Sequence, residues 1–191
     1  MNFETLTIKD VKNLYSENSI NFLELVKMQI DFIKKNEKKV LSLVNFDEDL
    51  YLLKASEFDS EGKAKGLLNN IPIGVKDLID IKGMRTEANS KSLVGNVAKE
   101  DADIVSKLKE SGAFVAMKTN THEYAYGAVS PPTRNPWDLS KIPGGSSGGS
   151  AAATSSGICF ASLGADTAGS IREPAALSSA ARCKPTYNST S

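Results

Sequence analysis

Apolar residues recur at helical spacing over the first third of the chain. Ile8, Val11, Leu14 and Tyr15 share one face of a helix that opens on Thr7-Ile8-Lys9-Asp10, the form of a capping box. Leu23, Val26, Ile30 and Ile33 repeat the pattern, with Ser19 as the expected N-cap and Asn36-Glu37-Lys38-Lys39 as the expected end. Val40 to Phe46 reads as a strand, Asp47 to Phe58 as a third helix, and Asp59 to Asn70 as a polar, glycine-containing connection.

The pattern then shortens. Ile71-Pro72-Ile73-Gly74-Val75-Lys76 is a β-type run, and Pro72 and Gly74 point to an edge strand or an irregular one beside a site. Asp101 is the expected cap of a helix carrying Ile104, Val105 and Leu108, which Gly112 stops. Ala113 to Met117 is the next strand, and a helix feeding a short apolar strand is the signature of an α/β layer. Pro131-Pro132, Asn135-Pro136 and Pro143-Gly144-Gly145 mark a long irregular loop. A small-residue helix over Gly148 to Ser156 and a buried strand over Ile158 to Leu163 follow. No internal repeat is visible.

Composition narrows the classes. The chain has 191 residues, 40% apolar, enough for a real core. Lys+Arg and Asp+Glu balance at 23 each, so no net field draws it to nucleic acid or to an acidic membrane. Cys159 and Cys183 form no CxxC pair and no His/Cys cluster, so no metal is expected, and reduced thiols fit a cytoplasmic protein. The N-terminus shows no secretory signal. The least polar stretch, Ser150 to Gly169, is too weak for a membrane span.

The candidate chemistry lies in Pro143-Gly144-Gly145-Ser146-Ser147-Gly148-Gly149-Ser150. A flexible linker has this composition, yet apolar segments continue on both sides. A phosphate loop would end in Gly-Lys-Ser/Thr, which is missing. Gly145-Ser146-Ser147-Gly148-Gly149 matches a nucleophile elbow, whose histidine follows the serine, whereas His122 precedes it. The order His122, Asp138 or Asp166, Ser170 would suit a protease-like triad. Ser106 and Lys109 form a Ser-x-x-Lys match that reads as the solvated face of a helix. A serine hydrolase with no histidine needs another base, and a lysine serves if burial keeps its amine neutral. Lys76, at the end of an apolar strand, is the best placed.

Gly74-Val75-Lys76-Asp77, the Gly-Ser segment and Asp166-Thr167-Ala168-Gly169-Ser170-Ile171-Arg172-Glu173-Pro174-Ala175 occur in that order, and together they resemble the amidase-signature family. Lys118-Thr119-Asn120 and Arg134-Asn135-Pro136-Trp137-Asp138 add to the likeness, which runs from about Ile71 to Ala176. Ser146 and Ser170 stand 24 positions apart, the family's spacing. The resemblance implies an amidase working through an acyl-serine: Ser170 as nucleophile, Ser146 as a bridging serine after a cis peptide, and Lys76 as base. The backbone amides of Thr167, Ala168, Gly169 and Ser170 would form the oxyanion hole. Ser147, Asp166 and Arg172 would support it from behind. No cofactor and no metal is implied.

The fold implied is α/β, a mixed sheet covered by helices. Residues 1–70 would be a helical segment packing on the core, and 71–191 the N-terminal portion of that core. Two departures stand out. Ala168 replaces a glycine, which would cost about 1 kcal/mol if a positive φ were needed there. Arg182 falls where the family is apolar, and the chain stops at Ser191 whereas relatives run more than twice as long, so a truncated chain is expected. The substrate would be a small-molecule amide. A glutaminase subunit of a tRNA-dependent amidotransferase, working with partner subunits, and an inactive fragment are the alternatives.

Overall fold

In a computed structural model, which describes residues 3–62, 66–187 and 189, six α-helices and three strands follow the order α1 (Ile8–Ser16), α2 (Phe22–Val40), α3 (Glu48–Ser60), β1 (Pro72–Lys76), α4 (Asp103–Glu110), β2 (Phe114–Thr119), α5 (Gly148–Ser155), β3 (Ala161–Leu163) and α6 (Arg172–Leu177). The α/β architecture is the one expected. The strands form one parallel sheet in the order β2-β1-β3. Each parallel step is bridged by a segment that contains a helix, as parallel pairing requires.

Local chemistry starts the helices. Thr7 and Asp10 form the expected reciprocal box. The second helix starts later than Ser19: Asn21 accepts from Glu24 N–H at 2.9 Å while the Glu24 carboxylate accepts from Asn21 N–H at 2.8 Å. Asn-x-x-Glu is itself a capping box, so the signal is in the sequence, two residues on. Asp47 caps α3 as its position suggests. Asp101 is not a cap. Ala102 begins α4 without side-chain help, and Asp101 accepts from Lys82 N–H and pairs with Lys109.

Three strand expectations change. Residues 40–46 are no strand, because α2 runs through Val40 and Leu41 turns the chain with a left-handed φ of 55°. Leu43 makes a lone antiparallel bridge to Thr119, and the Glu37 carboxylate holds Leu43 N–H and the Ser42 hydroxyl. Strand β3 is short and half-buried, since Ile158 and Cys159 enter the core ahead of it in a turn. Strand β1 is central rather than an edge. A register shift between Pro72 and Gly74 accommodates the proline, and a Cβ on Gly74 would come within 2.9 Å of both Ser162 Oγ and Cys159 Sγ. The glycine signals close packing between strands. Cys159 is buried and Cys183 exposed, and both are free thiols.

Two apolar clusters flank the sheet. In one, Phe22 of α2, Tyr51 and Phe58 of α3 and Phe114 of β2 pack with tilted or edge-on rings, centroids 5.2–5.3 Å apart. In the other, Val11 and Leu25 meet Ile71, Ile73, Val75, Val105 and Val115. Each large side chain so buried contributes roughly 1.5–3 kcal/mol, which fixes β1 between helices and leaves its C-terminal end to be shaped by polar contacts. Gln29, fully buried, donates to Ile158 O and accepts from the Tyr51 hydroxyl, tying α2 and α3 to the segment before β3.

Candidate active site

Strand β1 ends on Lys76, a lysine with no solvent exposure. Its Nζ donates to Ser146 Oγ at 2.7 Å, and Ser146 is equally buried. Burial pulls the Lys76 amine down to about 8, while the Asp166 carboxylate pulls the other way. At neutral pH a measurable fraction of Lys76 is therefore unprotonated, which an ordinary surface lysine cannot offer.

Ser146 follows a cis peptide bond after Gly145. Its carbonyl oxygen accepts from His122 N–H, Thr121 Oγ1 and Ser130 Oγ, each at 3.0 Å. Ser147 Oγ donates to Ala165 O at 3.1 Å and accepts from Ala165 N–H at 3.2 Å, so one hydroxyl joins the Gly-Ser segment to the chain leaving β3. Ser147 N–H donates to Ser170 O at 3.1 Å. Lys76, Ser146, Ser147, Asp166 and Ser170 thus converge at the C-terminal end of β1. The Ser170 hydroxyl makes no hydrogen bond among the described residues.

Asp166 shapes the loop that carries Ser170. Its carboxylate accepts from the backbone N–H of Gly169, Ile171 and Arg172 and from Arg172 Nε and Nη2. The Arg172 guanidinium leads these contacts in holding the carboxyl at about 2. The positive φ of this loop falls on Gly169, at 133°, and Ala168 carries none, so alanine there is unstrained. Thr167 and Ala168 are exposed, and Gly169 and Ser170 half-buried. Gly169 N–H is already taken by Asp166, whereas no acceptor among the described residues takes the N–H groups of Thr167, Ala168 or Ser170.

The side chains of the other candidates have partners outside this cluster. His122 opens a single 3-10 turn and its Nδ1 lies 3.1 Å from Glu123 O. Asp138 accepts from Ser140, and Lys109 is paired with Asp101. A cavity of about 810 Å³ opens between the N-terminal segment and the end of α5, lined by Phe32, Trp137 and Ser155 among others and by none of Lys76, Ser146 or Ser170.

Sequence reasoning missed three supports. Thr121 and Ser130 hold the Ser146 carbonyl; isolated hydroxyls in a loop carry no pattern that marks them. Asp77 and Lys118 form a buried ion pair at 3.2 Å, and Lys118 Nζ also donates to Ile79 O and Thr86 Oγ1. Both lie in segments that carry the family resemblance, which gave them no role. Finally, Ala88, Asn89, Tyr124 and Ala125 adopt left-handed φ of 48–58° in two loops joined by Tyr124 N–H to Ala88 O. Such backbone costs of order 1 kcal/mol or more per residue and concentrates at functional sites.

Residues 24–191 match the family model described as Amidase. The chain belongs to the Amidase family. It is 39% identical over 195 residues to the glutamyl-tRNA(Gln) amidotransferase A-subunit of Alkaliphilus metalliredigens, covering 98% of this chain and 40% of that protein. The crystal structure of the corresponding subunit from Thermotoga maritima superposes with a TM-score of 0.75 at 34% identity, over 93% of this chain and 38% of that one. A crystal structure described as an amidase superposes with a TM-score of 0.79 at 36% identity, over 89% and 41%. This amidase-family chain therefore spans about 40% of the length of the curated relatives it matches. None of its helices is long and apolar enough to cross a membrane, among the described residues.

Proposed function

We propose that this chain carries the catalytic half-site of a cytoplasmic amidase that hydrolyses the C–N bond of a small-molecule carboxamide through an acyl-Ser170 intermediate. The observation that carries the reading is the 2.7 Å contact of a buried, neutralisable Lys76 with Ser146 Oγ. In the reaction, Ser170 Oγ attacks the carbonyl carbon and gives its proton to Ser146, whose own proton passes to Lys76. The tetrahedral oxyanion is held by backbone N–H groups of Thr167, Ala168 and Ser170, the amides that Asp166 leaves free. Collapse breaks the C–N bond, and the departing nitrogen takes the proton back along the same path, leaving as ammonia or an amine. Water then attacks the acyl ester and passes a proton to the relay; the Ser170 Oγ–C bond breaks, the relay returns that proton to Ser170 Oγ, and the acid leaves as its carboxylate. Asp166 and Arg172 hold the nucleophile loop, and Ser147 ties it to the bridging serine.

A second version passes the ammonia to another substrate on partner subunits. It is favoured by the 39% identity to a protein named as a glutamyl-tRNA(Gln) amidotransferase component. Co-purification with the other subunits of such an assembly supports it; a lone chain that hydrolyses amides without them counts against it. The first test is labelling by a fluorophosphonate, which phosphonylates an activated serine. Labelling at Ser170 that disappears in Ser170→Ala is expected. Labelling that persists in that variant removes the nucleophile assignment, and no labelling of the parent identifies the 191-residue chain as inert by itself.

A further inference from the structure

A buried hydroxyl that lies between the motifs quoted for the family resemblance grips the Gly-Ser segment on both sides of Gly145–Ser146. Ser130 is 1% exposed. Its Oγ lies 3.0 Å from Ser146 O and 3.3 Å from Gly144 O, sharing its one proton between the two carbonyls, and accepts from Gly148 N–H at 3.1 Å. One side chain therefore touches the residue before Gly145–Ser146, the second residue of that pair, and the first residue of α5. Ser130 is itself fixed. Asn120 Nδ2, just after β2, donates to Ser130 O at 3.1 Å, Pro131 O at 3.0 Å and Thr133 Oγ1 at 2.9 Å. The chain of support runs from the sheet through Asn120 to Ser130 and on to Ser146.

We infer that Ser130 is a positioning residue that holds Ser146 within reach of Lys76. The backbone of Ser146 has three donors on one oxygen, and two of them, Thr121 Oγ1 and His122 N–H, come from the same stretch after β2. Ser130 comes from a separate loop and also restrains Gly144 and Gly148. Without it the carbonyl is free to swing toward Thr121 and His122. A side chain built on a backbone that rotates by even a modest angle moves its hydroxyl by a large part of an ångström, enough to break a 2.7 Å contact. Ser130 never meets the substrate in this role; it acts through Ser146.

The consequence can be read at Lys76 independently of turnover. An ammonium donating to a hydroxyl makes a stronger hydrogen bond than a hydroxyl donating to a neutral amine. Loss of the Ser146 contact therefore disfavours the charged amine, and the Lys76 midpoint falls. Asp166, the charged group that opposes burial at Lys76, and the Asp77–Lys118 pair at the end of the same strand stay in place.

The inference rests on the proposed relay, and the test separates the two. The 191-residue chain is labelled at the lysine ε-carbon, Lys76 is assigned by comparison with Lys76→Met, and its titration is followed by NMR beside the rate of fluorophosphonate labelling at Ser170. Ser130→Ala is expected to lower the Lys76 midpoint by about half a pH unit and slow labelling at least tenfold. Ser130→Thr, which keeps the hydroxyl, should recover most of both. Ser150→Ala is the control: Ser150 Oγ lies 2.7 Å from Thr119 Oγ1 and donates to Leu163 O at 2.8 Å, so it removes buried hydrogen bonds in α5 without touching the Ser146 carbonyl. It should lower Tm as Ser130→Ala does and leave the midpoint alone. If Ser130→Ala does not fold, Ser130→Cys, nearly isosteric with a weak donor, carries the same comparison. An unchanged midpoint in a folded Ser130 variant, with Tm lowered as in the control, overturns the inference. A parent chain whose Lys76 titrates like a surface lysine instead overturns the relay itself.

Discussion

Two lysines on neighbouring strands are equally hidden and chemically opposite. Lys76 on β1 has no exposure and Lys118 on β2 only 4%. The parallel register sets Val75 beside Lys118 and Lys76 beside Thr119, so the two side chains leave opposite faces of the sheet. Lys118 meets a carboxylate, a carbonyl and a hydroxyl, and these three acceptors occupy all its protons. Lys76 meets a hydroxyl. Burial lowers both amines, but at Lys118 the Asp77 carboxylate opposes it directly, whereas Lys76 has only the Asp166 charge, itself satisfied by Arg172. An anion ties Lys118 into the fold, whereas Lys76 faces only a neutral hydroxyl.

The contrast predicts unequal consequences. The largest is at Lys76: Lys76→Ala should slow labelling of Ser170 by about two to four orders of magnitude, the usual worth of a positioned base. Lys76→Arg should restore nothing, because a guanidinium stays charged. In the parent the rate should rise with pH and level off above about 8, where the amine is deprotonated. A flat profile, or one unaltered by Lys76→Ala, removes the base role.

Next comes Lys118. Lys118→Met leaves Asp77 buried and unpaired and should cost about 3–5 kcal/mol in chemical denaturation. Adding Asp77→Asn should recover much of that loss, since neutralising both partners removes the unpaired charge. A Lys118→Met chain as stable as the parent would show that the pair is not a structural lock.

At Lys76 the sign reverses. A lysine whose folded value lies near 8, below the unfolded value of about 10.4, costs the folded state a proton-binding penalty at neutral pH. The unfolded chain holds more protons between those two values, so stability should rise with pH from about 8 to about 10.4. Lys76→Met should therefore stabilise the chain at pH 7, by roughly 1–3 kcal/mol after the lost Ser146 contact is set against the gain. Denaturation curves at pH 7 and pH 10 decide it: the gain should shrink at the higher pH.

The smallest effect concerns Arg172. Its side chain is half exposed and its ion pair is screened by solvent, so Arg172→Met should change stability at pH 7 only slightly. Asp166, held at about 2, contributes stability that is present above its unfolded value near 3.9 and lost as pH falls toward 2; the variant should narrow that acid window. With Asp166 less neutralised, Lys76 should titrate slightly higher. A Lys76 midpoint that does not move would show that Asp166 acts on the loop alone.

The helices are legible because their signals are local. Capping boxes and the Ile30–Ile33 stripe need only a few residues to be read, and even the misplaced start at Ser19 has the correct box two positions on. The segment around Leu41 is not legible: its apolar run has strand composition, and the turn that breaks it depends on Glu37 reaching forward to Leu43. Pro72 and Gly74 read as edge markers because a sequence shows the missing N–H and the missing side chain, not the sulfur and hydroxyl that crowd the glycine. Lys76, Ser146 and Ser170 stand out through family resemblance, whereas composition alone leaves several triads open. The family resemblance implies an oxyanion role for the Gly169 amide, which in this fold donates to Asp166. Ser130 stays invisible because a hydroxyl acquires its meaning from two carbonyls that lie 14 and 16 positions away.

The strand order has a consequence for how the protein is made. Among the described strands β1 is the first to leave the ribosome, yet it ends in the middle of the sheet. Its β2 side cannot close until residue 119 has emerged, and its β3 side waits for residue 163. Until then Lys76 is an ordinary, hydrated, protonated side chain. Its change of character trails its own translation by some scores of residues, completed when the Gly-Ser segment and β3 fold over a strand that has been waiting for them. The nascent protein thus leaves Lys76 open to water until the segments that bury it have been laid down.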